Sequence, residues 1–272
     1  MIFRRQRRAP LAALALLVIG MAAAPLAAEP AAPPGFTSLF DGKTLNGWRG
    51  DPALWSVRDG VIDGGSDEPV KHATYLIHEG NFADFELHFK YRFIADGNSG
   101  FQIRSRVIDE AKFDVAGYQA NVVPPGQNVR FAMLYDMVGR SEIALLSEKV
   151  EISEENGKVK RVISGSVNPI QTILSSYKPY PEWNDYVVIA YGNRIIHVVN
   201  GYLAVDAVDL NPAGARDGVL ALQLDFGSAM RVQFKDIAVK RLTAAPDISG
   251  RFQTIAGPPQ TTPEIPRRPP HK

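Results

Sequence analysis

Three stretches of this chain set long polar side chains at alternate positions. In GNSGFQIRSR they are Gln102 and Arg104, in GYQANV they are Gln119 and Asn121, and in VLALQLD they are Gln223 and Asp225. An extended strand sends alternate residues to the same face, so each stretch reads as one apolar face and one polar face. Amides both donate and accept, a guanidinium only donates, and an ionised carboxylate only accepts. Together such groups can hold a polyhydroxylated ligand, steady a developing negative charge and take up a proton. Arg104 and Asp225 are the charged members of these faces, and His197 stands in RIIHVV. Plainer readings stand beside these: Arg104 could pair with Asp136 or Asp225, and His197 shares its face with Ile195 and Val199, as a packed core histidine would. Gln102, Gln119, Asn121 and Gln223 would orient ligand groups, and Tyr135, Asp136 and Arg140 of LYDMVGR would form the rim.

Strands must position these groups. In DFELHFKYRF, Phe85, Leu87, Phe89, Tyr91 and Phe93 share one parity, while Glu86, His88, Lys90 and Arg92 share the other. One dry and one wet face belongs to an antiparallel sheet. YVVIAY, RIIHVV and YLAVDAV are separated by Gly192-Asn193 and Asn200-Gly201, pairs that accept positive φ and close hairpins. LWSVRDGVIDGG predicts another hairpin at Arg58-Asp59-Gly60. RVQFKDIAVKRL changes phase at Lys235-Asp236, as a bulge would make it. Helical periodicity is scarce, and its best candidate is the short stretch Pro169–Tyr177. Many short strands without a βαβ rhythm predict an all-β sandwich or jelly roll, continuous from Gly35 to Leu242.

Composition excludes some functions. The chain has 272 residues, a net charge of +1 and no cysteine. Disulfides, thiol nucleophiles and thiolate metal sites are therefore excluded, and no basic stripe suggests nucleic acid. Arg4, Arg5, Arg7 and Arg8 precede the apolar run LAALALLVIGMAAAPLAA, which predicts a signal peptide over residues 1–28 and a periplasmic or secreted protein. Residues 29–34 read as a linker. The proline-rich end, from 243 to 272, reads as a disordered tail. No other segment is long and apolar enough for a transmembrane helix.

The polar faces carry few Lys or Glu, which ordinary solvent faces use freely. Planar amides, carboxylates and guanidinium groups suit sugar hydroxyls, and Tyr118 or Tyr135 could pack on ring hydrogens. GFTSLFDGKTLNGWRG, LWSVRDGVIDGG, DFELHFKYRF, GNSGFQIRSR, GYQANV, LYDMVGR, EWNDYVVIAYGNRIIHVVNG and ALQLDFG before VQFKDIAVKRL follow one another in an order that resembles the 3-keto-disaccharide hydrolase domain family. The resemblance implies a concanavalin-like jelly roll acting on glycosides whose C3 hydroxyl has become a ketone. The ketone acidifies the C2 hydrogen. Such a reaction needs a base near C2, a cation or metal near the ketone oxygen and an acid near the leaving oxygen; the resemblance implies Arg104 at the ketone, Asp225 as the base and His197 as an alternative base. Two departures stand out. Asn121 replaces an Asp found in many relatives, and Asp225 replaces a His. The resemblance leaves a divalent metal ion possible, held through oxygen ligands. The competing reading is a non-catalytic carbohydrate-binding module.

Overall fold

The computed structural model describes residues 32–95 and 97–260. In chain order the strands are β1 (Thr37–Ser38), β2 (Trp48–Arg49), β3 (Trp55–Arg58), β4 (Val61–Ser66), β5 (Thr74–His78), β6 (Phe85–Ala95), β7 (Ser99–Asp109), β8 (Asp114–Val122) and β9 (Leu134–Met137). They continue as β10 (Ser141–Ala144), β11 (Glu148–Glu155), β12 (Lys158–Ser166), β13 (Asn184–Tyr191), β14 (Arg194–Val199), β15 (Tyr202–Asp209), β16 (Val219–Leu224) and β17 (Met230–Arg241). One short α-helix, α1 (Ile170–Ser175), and a 3-10 helix over Pro125–Arg130 accompany them.

The strands form two sheets, as the alternation predicts. A ten-stranded sheet runs β12-β11-β15-β14-β13-β6-β17-β4-β3, with β1 on β17; a seven-stranded sheet runs β10-β9-β8-β7-β16-β5-β2. Pairing is antiparallel except between β11 and β15. The core lies between the sheets. Phe85, Leu87, Phe89 and Tyr91 from β6 meet Phe101 and Ile103 from β7, and Leu220, Leu222 and Leu224 from β16. Phe89 stacks on Tyr186 at 4.9 Å and tilts against Phe101 at 4.7 Å. Burying each such side chain contributes roughly 1.5–3 kcal/mol. The hairpins at Asp59-Gly60, Gly192-Asn193 and Asn200-Gly201 form as expected, and β17 slips register after Lys235 with Asp236 at φ 51°.

A bulge that alternation did not reveal lies in β7. Its register to β8 shifts between Ile103 and Arg106, and Arg104 takes φ 47°. Neighbouring strands close around it with glycine: a Cβ on Gly117 would stand 2.7 Å from Ser105 Cα, and one on Gly218 would stand 2.3 Å from Ser105 O. Beyond the bulge, the β7–β8 hairpin folds over the outer side of β16 and β5. Tyr75 N donates to Phe113 O at 3.1 Å, and Val107, Phe113 and Val115 pack with Tyr75, Ile77 and Ala221.

The expected disordered tail needs correction from 243 to 260. This segment crosses the outer face of the ten-stranded sheet. Ser166 and Gly257 exchange backbone hydrogen bonds at 2.9 and 3.0 Å, and Leu203 N donates to Gln253 O. Ile248 and Phe252 cover Val167, Ile189, Ile196, Val198 and Leu203. Arg251 reaches Glu86 at 2.5 Å, which buries a carboxylate that alternation had assigned to water. The prolines cluster after Gly257, so the composition argument reached too far back. The expected signal peptide and the tail beyond 260 lie outside the described residues. Among the described residues no helix is long and apolar enough to cross a membrane.

Candidate active site

On β7, β8 and β16, apolar residues fill the core and their alternates face outward from the seven-stranded sheet. The outward set includes Gln102, Gln119, Asn121 and Gln223. Three of them form a continuous row. Ser105 Oγ donates to Gln102 Oε1 at 2.9 Å, Gln102 Nε2 to Gln119 Oε1 at 2.7 Å, and Gln119 Nε2 to Asn121 Oδ1 at 2.8 Å. Asn121 Nδ2 then donates to Arg130 O at 2.8 Å, which ties the row to the 3-10 helix. Gly100 makes room: a Cβ there would lie 2.3 Å from Gln119 Cδ.

The row ends in a hollow of about 360 Å³, counting its open mouth. It is lined by Asn98, Gln119, Asn121, Arg130, Met133, Tyr135, Met137, Glu142 and Asp225. Asp225 is 3% exposed and follows the last residue of β16. Asn98 Nδ2 donates to its Oδ2 at 2.6 Å, and Phe226 N to its Oδ1 at 3.0 Å. The hollow is therefore lined by two acidic residues, an arginine, a tyrosine and three amide residues, together with two methionines. Four of the sequence-predicted residues, Gln119, Asn121, Tyr135 and Asp225, meet there. Asn98, Arg130 and Glu142 were missed.

The other predicted residues lie elsewhere, each for a physical reason. The bulge turns Arg104 out of the polar face. Its side chain is buried, with Nε on Ala83 O and Nη1 on Gly192 O, both at 2.7 Å, and Nη2 on Asp84 at 2.9 Å. It ties a loop to the β13–β14 turn of the opposite sheet; Asp84 is its ion-pair partner, and neither Asp136 nor Asp225 is. His197 faces the core with its Nδ1 3.0 Å from Ala132 O and 3.1 Å from Tyr186 Oη. Burial pushes its pKa down to about 4, so the ring is neutral near pH 7. Asp136 and Arg140 do not form a rim. Arg140 Nε donates to Asp136 at 2.6 Å, Nη1 reaches Asp209 at 2.8 Å, and Nη2 donates to the Tyr118 hydroxyl at 3.1 Å. Burial opposes the charge on Arg140, yet those partners hold its pKa above the usual arginine value. Tyr118 itself is a core residue bonded to Asp209. Gln102 and Gln223 share the site's sheet face but are sealed beneath it; Gln223 Nε2 donates to Tyr75 Oη at 3.3 Å.

The hollow's oxygen donors are two carboxylates and neutral amides from separate segments of the chain. Among the described residues no three His, Asp or Glu side chains gather as a metal would require. The residues present do not fit a divalent ion, and no step is derived through one.

A two-sheet antiparallel sandwich with an amide-lined, carboxylate-bearing hollow defines a jelly-roll domain. The chain belongs to the family of 3-keto-alpha-glucoside-1,2-lyase-like domains, whose sequence profile matches residues 35–240. It is 28% identical over 177 residues to a 3-keto-disaccharide hydrolase of Bacteroides thetaiotaomicron. That match covers 61% of this chain and 56% of the relative, so the chain spans little more than half the relative's length. Two solved structures of presumed glycosyl hydrolases from Parabacteroides distasonis share the fold. Each aligns with a TM-score of 0.51 over 76% of this chain, at 18% and 16% identity, covering 94% and 99% of theirs.

Proposed function

We propose that the domain is an exported enzyme that cleaves 3-keto-glycosides by elimination followed by hydration, with Asp225 as base. The observation that carries this reading is the meeting of Asp225, Arg130 and the amide row in one hollow. Asp225 removes the C2 hydrogen, and the electron pair of that bond moves toward the C3 ketone. The Arg130 guanidinium faces the oxygen where negative charge accumulates, the position where a fixed cation lowers a barrier most. The pair then returns to form the C1–C2 double bond, and the C1–O bond breaks with its electrons. Glu142 and Tyr135, on the far side, meet the departing unit and supply its proton. Water adds at C1 and the proton returns to C2, giving net hydrolysis.

The test is release of the aglycone from an aryl 3-keto-glucoside, with and without EDTA, by wild type and by Asp225→Asn. Wild type should turn over with exchange of the C2 hydrogen into solvent, and D225N should lose on the order of 10²–10⁴ in kcat. Aglycone release without C2 exchange, or an unaffected D225N, removes the reading. The second reading, a binding module, draws on the Asn121 and Asp225 departures. Micromolar binding of unoxidised oligosaccharides without any turnover of keto-glycosides would favour it.

A further inference from the structure

We propose that the far half of the hollow is an apolar seat for the departing group, so that the enzyme prefers 3-keto-glycosides of aromatic alcohols to 3-keto-disaccharides. The inference deepens the elimination reading above and rests on it. Strand order divides the hollow. Asp225 follows β16, Asn98 precedes β7, and Gln119 and Asn121 stand on β8, so the half beside the base offers a carboxylate and amides to sugar hydroxyls. β9 lies beyond β8 and brings different chemistry. Leu134 packs in the core, so Met133, Tyr135 and Met137 share the opposite face, and all three line the hollow. Tyr135 is paired with Gln119 on one side and Glu142 on the other. Asn121 N donates to Met133 O at 3.0 Å, which keeps Met133 in the ladder. Gly117, opposite Met137 on β8, adds no polar side chain beside it. The two methionines stand four residues apart, about 14 Å of strand, with the phenol between them.

A second sugar laid on this stripe would give up water from its hydroxyls and find thioether sulfur, a weak acceptor, in return. An aromatic ring gives up no such water and gains sulfur–ring contacts. The polar groups of this flank, Glu142 and the Tyr135 hydroxyl, serve the single oxygen that leaves. The stripe is also held in place from behind. Asp136, the next position on β9, accepts from Arg140 at 2.6 Å, and Arg140 reaches Asp209 at 2.8 Å. Val138 then takes φ 57°, uncommon for a β-branched residue, and its side chain stays exposed. Such a conformation persists only where the surrounding structure fixes it, and it keeps one more apolar side chain at the surface of the same hairpin. Methionine side chains adapt their shape, so the seat accepts rings of different outline.

The experiment compares benzyl 3-keto-glucoside with a 3-keto-disaccharide of the same anomeric configuration on wild type, Met133→Gln, Met137→Gln and Met137→Leu. A sugar hydroxyl is a better leaving group than benzyl alcohol, so a preference for the benzyl substrate reports the seat and not the bond. Wild type should favour the benzyl substrate by about tenfold or more in kcat/KM. M133Q and M137Q offer hydroxyls a partner and remove a ring contact, so each should bring the ratio to about threefold or less. M137L keeps the apolar volume and should hold the wild-type ratio, which separates loss of the seat from loss of the fold. Wild-type turnover of both substrates without a preference overturns this proposal and leaves the elimination reading standing. So does a ratio that M133Q and M137Q leave unmoved, or one that M137L lowers as far as M137Q does. A wild type that releases neither alcohol overturns the elimination reading and this inference together.

Discussion

Replacing His197 by Gln separates a core histidine from a catalytic one, and its size can be worked out in advance. Burial lowers the ring's pKa from 6.5 to about 4. At 1.36 kcal/mol per pH unit this difference corresponds to about 3 kcal/mol of acid sensitivity. The unfolded chain takes the proton first as pH falls. The contribution of the neutral ring is therefore whole above about pH 6.5 and is lost progressively down to about pH 4, where it levels off. By pH 4.5 most of it is gone. Urea unfolding at pH 7.5 and 4.5 measures this. Wild type should lose about 2–3 kcal/mol more than H197Q between the two values, while carboxylate titrations common to both cancel. At pH 7.5 the variant's kcat/KM per folded molecule should stay within about threefold of wild type. Parallel stability curves would refute the burial argument, and a hundredfold loss of activity would return the imidazole to the chemistry.

Arg104→Met should cost about 3 kcal/mol or more by stranding Asp84 and two carbonyls, with activity per folded molecule unchanged; chemical unfolding and titrated turnover check both halves. Gly100→Ala should push its Cβ into Gln119, cost about 1–3 kcal/mol and raise KM more than it lowers kcat. Ending the chain after Leu242 should uncover Ile189, Ile196, Val198 and Leu203, lower the melting temperature by several degrees and increase binding of a hydrophobic dye; a truncated protein as stable as the full chain would contradict the packing of that segment.

Most of the fold was legible because alternation reports it directly. The β6 parity, the Gly192-Asn193 and Asn200-Gly201 turns and the phase slip at Asp236 each carry a local signal. Arg104 was misplaced because parity holds only while the ladder is regular. The bulge that breaks it sits at Arg104-Ser105, without a glycine of its own, and the permissive glycines are Gly117 on β8 and Gly218 just before β16. Asp136 was misassigned for a related reason: its parity partner is Tyr118, so it joins the buried side of β9. Asn98 and Arg130 were missed because neither belongs to a strand. Asn98 sits in the glycine-framed turn before β7, and Arg130 ends a 3-10 helix in a Pro-Gly stretch. A lone arginine in such a loop, just before the strand that bears Tyr135, was the only available sign.

Asn121 is neutral, and the geometry gives its amide a task that a carboxylate could not perform. It accepts from Gln119 Nε2 and donates to Arg130 O. An ionised carboxylate accepts only. It could take the bond from Gln119, but it would leave the Arg130 carbonyl without this donor, releasing the end of the helix that carries the guanidinium. The neutral residue at 121 and the cation at 130 therefore work as one unit. The amide row sets the position of Asn121, and Asn121 holds the backbone of Arg130, which lines the same hollow as Asp225.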